Sequence, residues 1–178
     1  NLTTTTQYRA VVQNGVCASA NATAATITVS AVTVGGSIAG GATVCSGSNG
    51  TLTLSGNTGS VVRWESSTNG GTSWTNIVNT TTSQSYTGLT QTTTYRALVK
   101  SGVCDSAYSS TALVTVNATS VAGTVSSAAT VCSGANSGTL TLSGNTGTVV
   151  RWESSTNGGT SWTTITNTTT SQIGRAHV

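Results

Sequence analysis

The stretch Val61-Val62-Arg63-Trp64-Glu65-Ser66-Ser67-Thr68-Asn69-Gly70-Gly71-Thr72-Ser73-Trp74 decides how this chain is read, because it returns unchanged as Val149 to Trp162. Internal recurrence has to be placed before any fold is proposed. Arg63 and Arg151 stand at an offset of 88, whereas Cys45 and Cys132 stand at 87. The extra residue lies where Cys132-Ser133-Gly134-Ala135-Asn136-Ser137-Gly138 faces Cys45-Ser46-Gly47-Ser48-Asn49-Gly50. The N-terminus joins at the offset of 87: Tyr8-Arg9-Ala10 falls on Tyr95-Arg96-Ala97, and Gly15-Val16-Cys17 on Gly102-Val103-Cys104.

This register divides the chain into residues 1–32, the last two strands of one repeat; 33–119, a complete repeat; and 120–172, the first four strands of a third. A unit of about 87 residues exceeds a solenoid repeat and matches a small autonomous domain. Both ends are expected to be truncated. After Ser171-Gln172 the register stops, and Ile173-Gly174-Arg175-Ala176-His177-Val178 stands where Ser85 to Leu89 would recur. That hexapeptide resembles a translated sequencing adapter and is set aside, as a tag would be. The single histidine goes with it.

Short alternating segments bounded by Gly, Asn and Ser run throughout, the period-2 signature of half-buried strands. β-branched residues abound, and no apolar period of 3.6 appears. Seven strands are expected in the complete repeat: within Ser37–Val44, Thr51–Leu54, Val61–Ser66, Ser73–Val78, Ser85–Leu89, Thr94–Lys100 and Ser109–Val116. Seven strands in about 87 residues predict an all-β fold, an immunoglobulin-like antiparallel β-sandwich in tandem. Strict alternation puts Val62, Trp64 and Ser66 on the core face of the third strand. Val61, Arg63 and Glu65 then face solvent, the last two as a surface ion pair worth little. In the sixth strand, Tyr95, Ala97 and Val99 share the core face, with Arg96 and Lys100 opposite.

Charged residues are 5% of the chain, against about 25% in an average domain. The formal net charge of +3 falls to +2 without Arg175. The basic residues are scattered singly, which excludes a nucleic-acid stripe. No apolar run approaches the roughly 20 residues of a membrane helix.

Two cysteines recur per repeat, after the first strand (Cys45, Cys132) and after the sixth (Cys17, Cys104). Their spacing is not that of zinc ligands. Counting favours a Cys45–Cys104 disulfide, whereas a regular sandwich puts those turns at opposite ends. A bridge to a neighbouring repeat, or free thiols, stays open.

Three local patterns resemble known motifs. Leu89-Thr90-Gln91-Thr92-Thr93-Thr94-Tyr95 is similar to the tyrosine corner of fibronectin-type sandwiches, in which the Tyr hydroxyl bonds back to backbone. Ser67-Thr68-Asn69-Gly70-Gly71-Thr72-Ser73-Trp74 resembles the Asp box of sialidases, with Asn69 for Asp; that motif closes a hairpin and carries no catalysis. Asp105-Ser106-Ala107 resembles a Bacteroidetes O-glycosylation site, making Ser106 a candidate acceptor.

The repeat as a whole resembles the Ig-like repeats of large secreted Bacteroidetes proteins of the gliding-motility and type IX secretion class. The residues are Thr43-Val44-Cys45-Ser46-Gly47, Leu52-Thr53-Leu54, Arg63-Trp64-Glu65-Ser66, Tyr95-Arg96-Ala97-Leu98-Val99 and Gly102-Val103-Cys104. The resemblance covers 1–172 and implies a secreted or cell-surface stalk or adhesin role.

The acids are Glu65, Asp105 and Glu153, too few for a paired-carboxylate site or a calcium junction. The expectation is a non-enzyme without cofactor, metal or catalytic residues. Its partners are neighbouring repeats and, as candidates, an extracellular polysaccharide or cell-surface ligand, without nucleic acid or membrane insertion. The rival reading is a carbohydrate-binding module, with Trp74 and Trp162 as glycan contacts, since an indole can stack on a sugar ring.

Overall fold

The computed structural model describes residues 1–134 and 137–175, and every regular element in them is a strand. The chain forms two compact units, Asn1–Val116 and Asn117–Val178. The first begins with β1 (Thr6–Tyr8), β2 (Val11–Val12), β3 (Ala20–Asn21) and β4 (Ala25–Ile27). It continues with β5 (Ser37–Ala39), β6 (Thr43–Cys45), β7 (Ser48–Ser55), β8 (Ser60–Ser67), β9 (Thr75–Ile77), β10 (Ser83–Leu89), β11 (Thr93–Lys100), β12 (Ala107–Tyr108) and β13 (Ala112–Asn117). The second holds β14 (Thr124–Ser126), β15 (Ser137–Ser143), β16 (Trp152–Ser154), β17 (Thr163–Ile165) and β18 (Ser171–Arg175).

Strands β5 to β13 form two sheets, ordered β10-β7-β5 and β6-β13-β11-β8-β9, with β12 beside β11. The registered ladders are antiparallel. The side chains between the sheets are Leu52, Leu54 and Tyr86 from one, and Val61, Trp64, Tyr95, Ala97, Val99, Ala112 and Val114 from the other. This is a β-sandwich core. Alternation along β11 follows the sequence expectation, with Thr93, Tyr95, Ala97 and Val99 buried and the residues between them partly exposed. Trp64 is fully buried, and its Nε1 donates to the Thr81 carbonyl at 2.9 Å. The indole thus enters the core without an unpaired donor.

Two features depart from the expected pattern. The first is in β8. Val61 pairs with Val99 and Arg63 with Leu98, so Val62 is an extra residue at a register shift. A bulge of one residue inverts the parity of everything before it. Val61 is therefore in the core at 5% exposure and Val62 is out at 42%, the reverse of strict alternation. The second is the single strand expected within Ser37–Val44, which is two. Strand β5 belongs to one sheet and β6 to the other, and the chain crosses between them at Gly40-Gly41. Gly40 has φ +100°, and a Cβ there would lie 2.5 Å from the Thr51 carbonyl oxygen; one on Gly41 would lie 2.8 Å from that of Leu113. Only glycine fits a crossover that close.

The flanking segments repeat the sandwich's pairing. Thr6↔Ile27, Gln7↔Thr26 and Tyr8↔Ala25 are Thr93↔Val114, Thr94↔Leu113 and Tyr95↔Ala112 moved by one repeat. Val11↔Asn21 likewise matches Leu98↔Tyr108. In the second unit, Val125↔Leu142 and Trp152↔Ile165 match Ile38↔Leu54 and Trp64↔Ile77. Residues 173–175, set aside on sequence, extend β18 along β15; residues 176–178 lie outside the described residues. Burial does not repeat: Tyr95 is 4% exposed, whereas Tyr8 is 53% exposed.

Candidate functional site

The chemistry-bearing side chains of the sandwich gather on the outer face of β8 and β11. Register sets Arg96 directly opposite Glu65. Arg96 Nε donates to Glu65 Oε2 at 2.7 Å. Arg63 donates to Oε1 through Nε at 2.7 Å and through a terminal nitrogen at 2.6 Å. The Tyr108 hydroxyl, from β12, adds a longer bond to Oε1 at 3.4 Å. The Arg96 guanidinium carbon lies 3.9 Å from the Trp74 ring centroid and 3.8 Å from that of Tyr108. Two aromatic faces thus clamp one cation, a favourable stacking arrangement for arginine.

Glu65 is only 2% exposed. It is therefore a buried carboxylate, where sequence implied a solvated ion pair; the cover comes from Arg96 and Tyr108, both remote in sequence. Burial pushes the Glu65 carboxyl up, but hydrogen bonds and charge from Arg96 and Arg63 outweigh it and hold it below the ordinary value. The hydrogen bond to Glu65 raises Arg63 in turn, against its own desolvation. Such a network holds charge in place, and both carboxylate oxygens are spent on it. Alternation had already put Arg96, Arg63 and Glu65 on outer faces. What it lacked was the register that makes them neighbours.

Trp74 follows the hairpin that resembles the Asp box. Ser67 Oγ donates to Asn69 Oδ1 at 2.8 Å and accepts from Gly71 N at 2.9 Å. Asn69 Oδ1 accepts from Ser73 N at 3.0 Å, and Asn69 Nδ2 donates to Ser73 Oγ at 2.7 Å. Gly70 and Gly71 take the positive φ values of 70° and 91° that the turn needs. A Cβ on Gly71 would sit 3.3 Å from the Trp74 ring, so Trp74 has backbone close to its ring as well as the Arg96 guanidinium. Trp162 follows an equivalent turn but is 60% exposed. The two tryptophans named together from sequence therefore differ in what they offer a ligand.

The other named residues are separate. Cys17, Cys45 and Cys104 carry free thiols. Gly47, near Cys45, bonds to Leu89 before β11, and Cys104 follows the end of β11 at Lys100. The length of an eight-residue strand, roughly 25 Å, thus lies between them, and a disulfide needs Cα atoms within about 7 Å. The structure does not bring Cys45 and Cys104 together. Ser106 is exposed in the turn before β12. Tyr95 is buried against Tyr86, with ring centroids 6.2 Å apart. Burial first and the Tyr86 charge second raise its phenol, and a Thr93 hydrogen bond opposes them. Among the described residues, no three His, Cys, Asp or Glu side chains cluster.

A family model described as Domain of unknown function (DUF8696) matches residues 1–31, 34–118 and 121–177. No curated protein matches the chain.

Proposed function

We propose, from the premise that this chain belongs to the family described as Domain of unknown function (DUF8696), that it is a run of immunoglobulin-like repeats serving as a non-catalytic stalk. Its setting is a secreted or cell-surface bacterial protein, where it spaces or presents another module. The observation that carries this reading is the sandwich's strand register recurring in both flanking segments, in step with three matched segments. A spacer also needs connections that resist bending. Ser101 N donates to Thr33 Oγ1 at 3.0 Å, and the Cys104 thiol to the Ala31 carbonyl at 3.4 Å. The segment before β5 is thereby fastened to the turn after β11. Each repeat adds roughly 35–40 Å of length, from strand rise plus turns.

Force extension of the chain tests this. A load-bearing sandwich over residues 33–116 should unfold in one discrete step of roughly 250 Å, since each residue released contributes about 3.5 Å and the folded length is recovered. Yielding without a step would count against the stalk. The second reading, a carbohydrate-binding module, is favoured by the exposure of Trp162. Titration with soluble polysaccharides, followed by tryptophan fluorescence, should leave the chain unresponsive. A response abolished by Trp162→Ala would put the binding module in place of the stalk.

A further inference from the structure

The sandwich has two outer faces of opposite character. Strands β5, β7 and β10 contain no charged residue, and Thr51, Thr53, Ser83 and Ser85 stand exposed on their outer side. The other sheet carries every lysine and arginine of residues 33–116: Arg63 on β8, and Arg96 and Lys100 on β11. Alternation along β11 puts Arg96, Leu98 and Lys100 on the outer side, opposite the buried Ala97 and Val99. Register sets Arg63 opposite Leu98, so it falls between the two cations of β11. Measured along the strands, the three positions follow one another at steps of roughly 6.6 Å.

One carboxylate offsets these three cations. Glu65 is shared by Arg63 and Arg96, and Lys100 makes no ion pair among the described residues. Three positive charges against one negative leave the row at +2. The sandwich's other acid, Asp105, lies in the turn beyond the end of β11. The clamp of Trp74 and Tyr108 holds the Arg96 guanidinium in place before any ligand arrives, which lowers the ordering cost of binding. Apolar side chains flank the row: Val62, beside Arg63, and Leu113, opposite Thr94, are both exposed.

We propose that this face of β8 and β11 docks an extended acidic segment of a partner protein, with carboxylates at alternate residues. Charge complementarity points to an acidic partner, and arginine clusters are a recurring reader of acidic motifs. The step of the row points to a polypeptide, because side chains on one side of an extended strand also repeat at roughly 6.6 Å. One carboxylate then meets the Arg63–Arg96 pair and another meets Lys100, through charge-assisted hydrogen bonds. Apolar side chains of the segment pack on Val62 and Leu113. A second copy of this chain does not supply such a segment, since its acids Glu65, Asp105 and Glu153 stand 40 and 48 residues apart. An acidic polysaccharide fits less well: Trp74 and Tyr108 each give a ring face to Arg96, so the pair is no open platform for a sugar ring.

The inference goes beyond the stalk reading and can fail alone. Two fluorescein-labelled heptapeptides of threonine and glutamate, equal in composition and charge, are titrated with the full chain and followed by anisotropy. One has glutamate at its second, fourth and sixth residues; the other has it at the first, fourth and seventh, which puts successive carboxylates on opposite sides of an extended chain. The first should bind saturably, more tightly than the second, and weaken as salt screens the contact. Lys100→Glu should weaken it at least about tenfold, because an attraction becomes a repulsion. Lys100 is exposed at the end of β11, and circular dichroism checks that the variant stays folded. Thr53→Glu, on the neutral face, should leave binding unchanged. No saturable binding overturns the inference, as does equal affinity for both peptides, indifference to Lys100→Glu, or an equal loss from Thr53→Glu. Polygalacturonate that binds more tightly than the first peptide and displaces it would replace the polypeptide with an acidic polysaccharide. None of these outcomes alters the unfolding step at residues 33–116, which tests the stalk.

Discussion

Glu65→Gln removes one charge from the centre of the outer-face cluster and leaves the shape almost unchanged. The amide keeps one acceptor oxygen, so one arginine retains a partner. Its NH₂ faces the other arginine, donor against donor. One charge-assisted bond of about 1.5–3 kcal/mol is lost, and the site is 2% exposed, so water does little to compensate. Arg63 and Arg96 keep 33% and 22% side-chain exposure, which limits the cost of leaving them underpaired. The expected loss is about 2–3 kcal/mol, or roughly 10–20 °C in the unfolding midpoint of a domain this size. The pH dependence is sharper still. The Glu65 carboxyl lies lower in the fold than its ordinary 4.5. Its contribution is complete above that value and is lost as pH falls through the folded one. With three acids in the chain, two of them exposed, acid destabilisation should come chiefly from this group. In urea titrations followed by tryptophan fluorescence, the gap between parent and Glu65→Gln should be widest at pH 7 and should narrow steadily as pH falls below 4.5. A variant within about 0.5 kcal/mol of the parent at pH 7, or one that keeps the parent's acid sensitivity, would refute the argument.

The bulge in β8 makes an opposite pair of predictions. Val61→Ser should cost about 2–4 kcal/mol, as a core deletion with a hydroxyl added, while Val62→Ser should stay within roughly 0.5–1 kcal/mol. Urea midpoints in the reverse order would restore strict alternation. Gly40→Ala should destabilise the sandwich by at least about 2 kcal/mol, since it strains a positive φ and drives Cβ into the Thr51 carbonyl. A neutral effect in thermal unfolding would mean that the crossover between sheets is looser than described.

Period-2 patterning was enough to locate most of the strands and to give β11 its correct faces, because Thr93 to Val99 run without an inserted residue. It failed at Val62, since an inserted residue has no local signature when the residue beside it, Val61, is also apolar and β-branched. It also missed the division of β5 from β6. Gly40-Gly41 was visible, but a glycine pair reads equally as a turn or as a crossing. The Glu65 cluster was half legible. Arg63 and Glu65 stand together in sequence, whereas Arg96 and Tyr108 are brought to them by pairing across 31 and 43 residues. The Ser67–Trp74 hairpin was the most legible part, because its bonds span four residues or fewer.

That locality has a consequence for the order of folding. The hairpin takes the same form in the closed sandwich and in the open second unit, with its Ser, Asn and Gly bonds intact in both. It therefore needs nothing from the strands that arrive later. Joining β8 to β11 requires closing a loop of roughly thirty residues, and that entropy is lost before any contact compensates it. Each hairpin can therefore form early, with Trp64 on its β9 partner and Trp152 on its β17 partner, ahead of the pairing between β8 and β11.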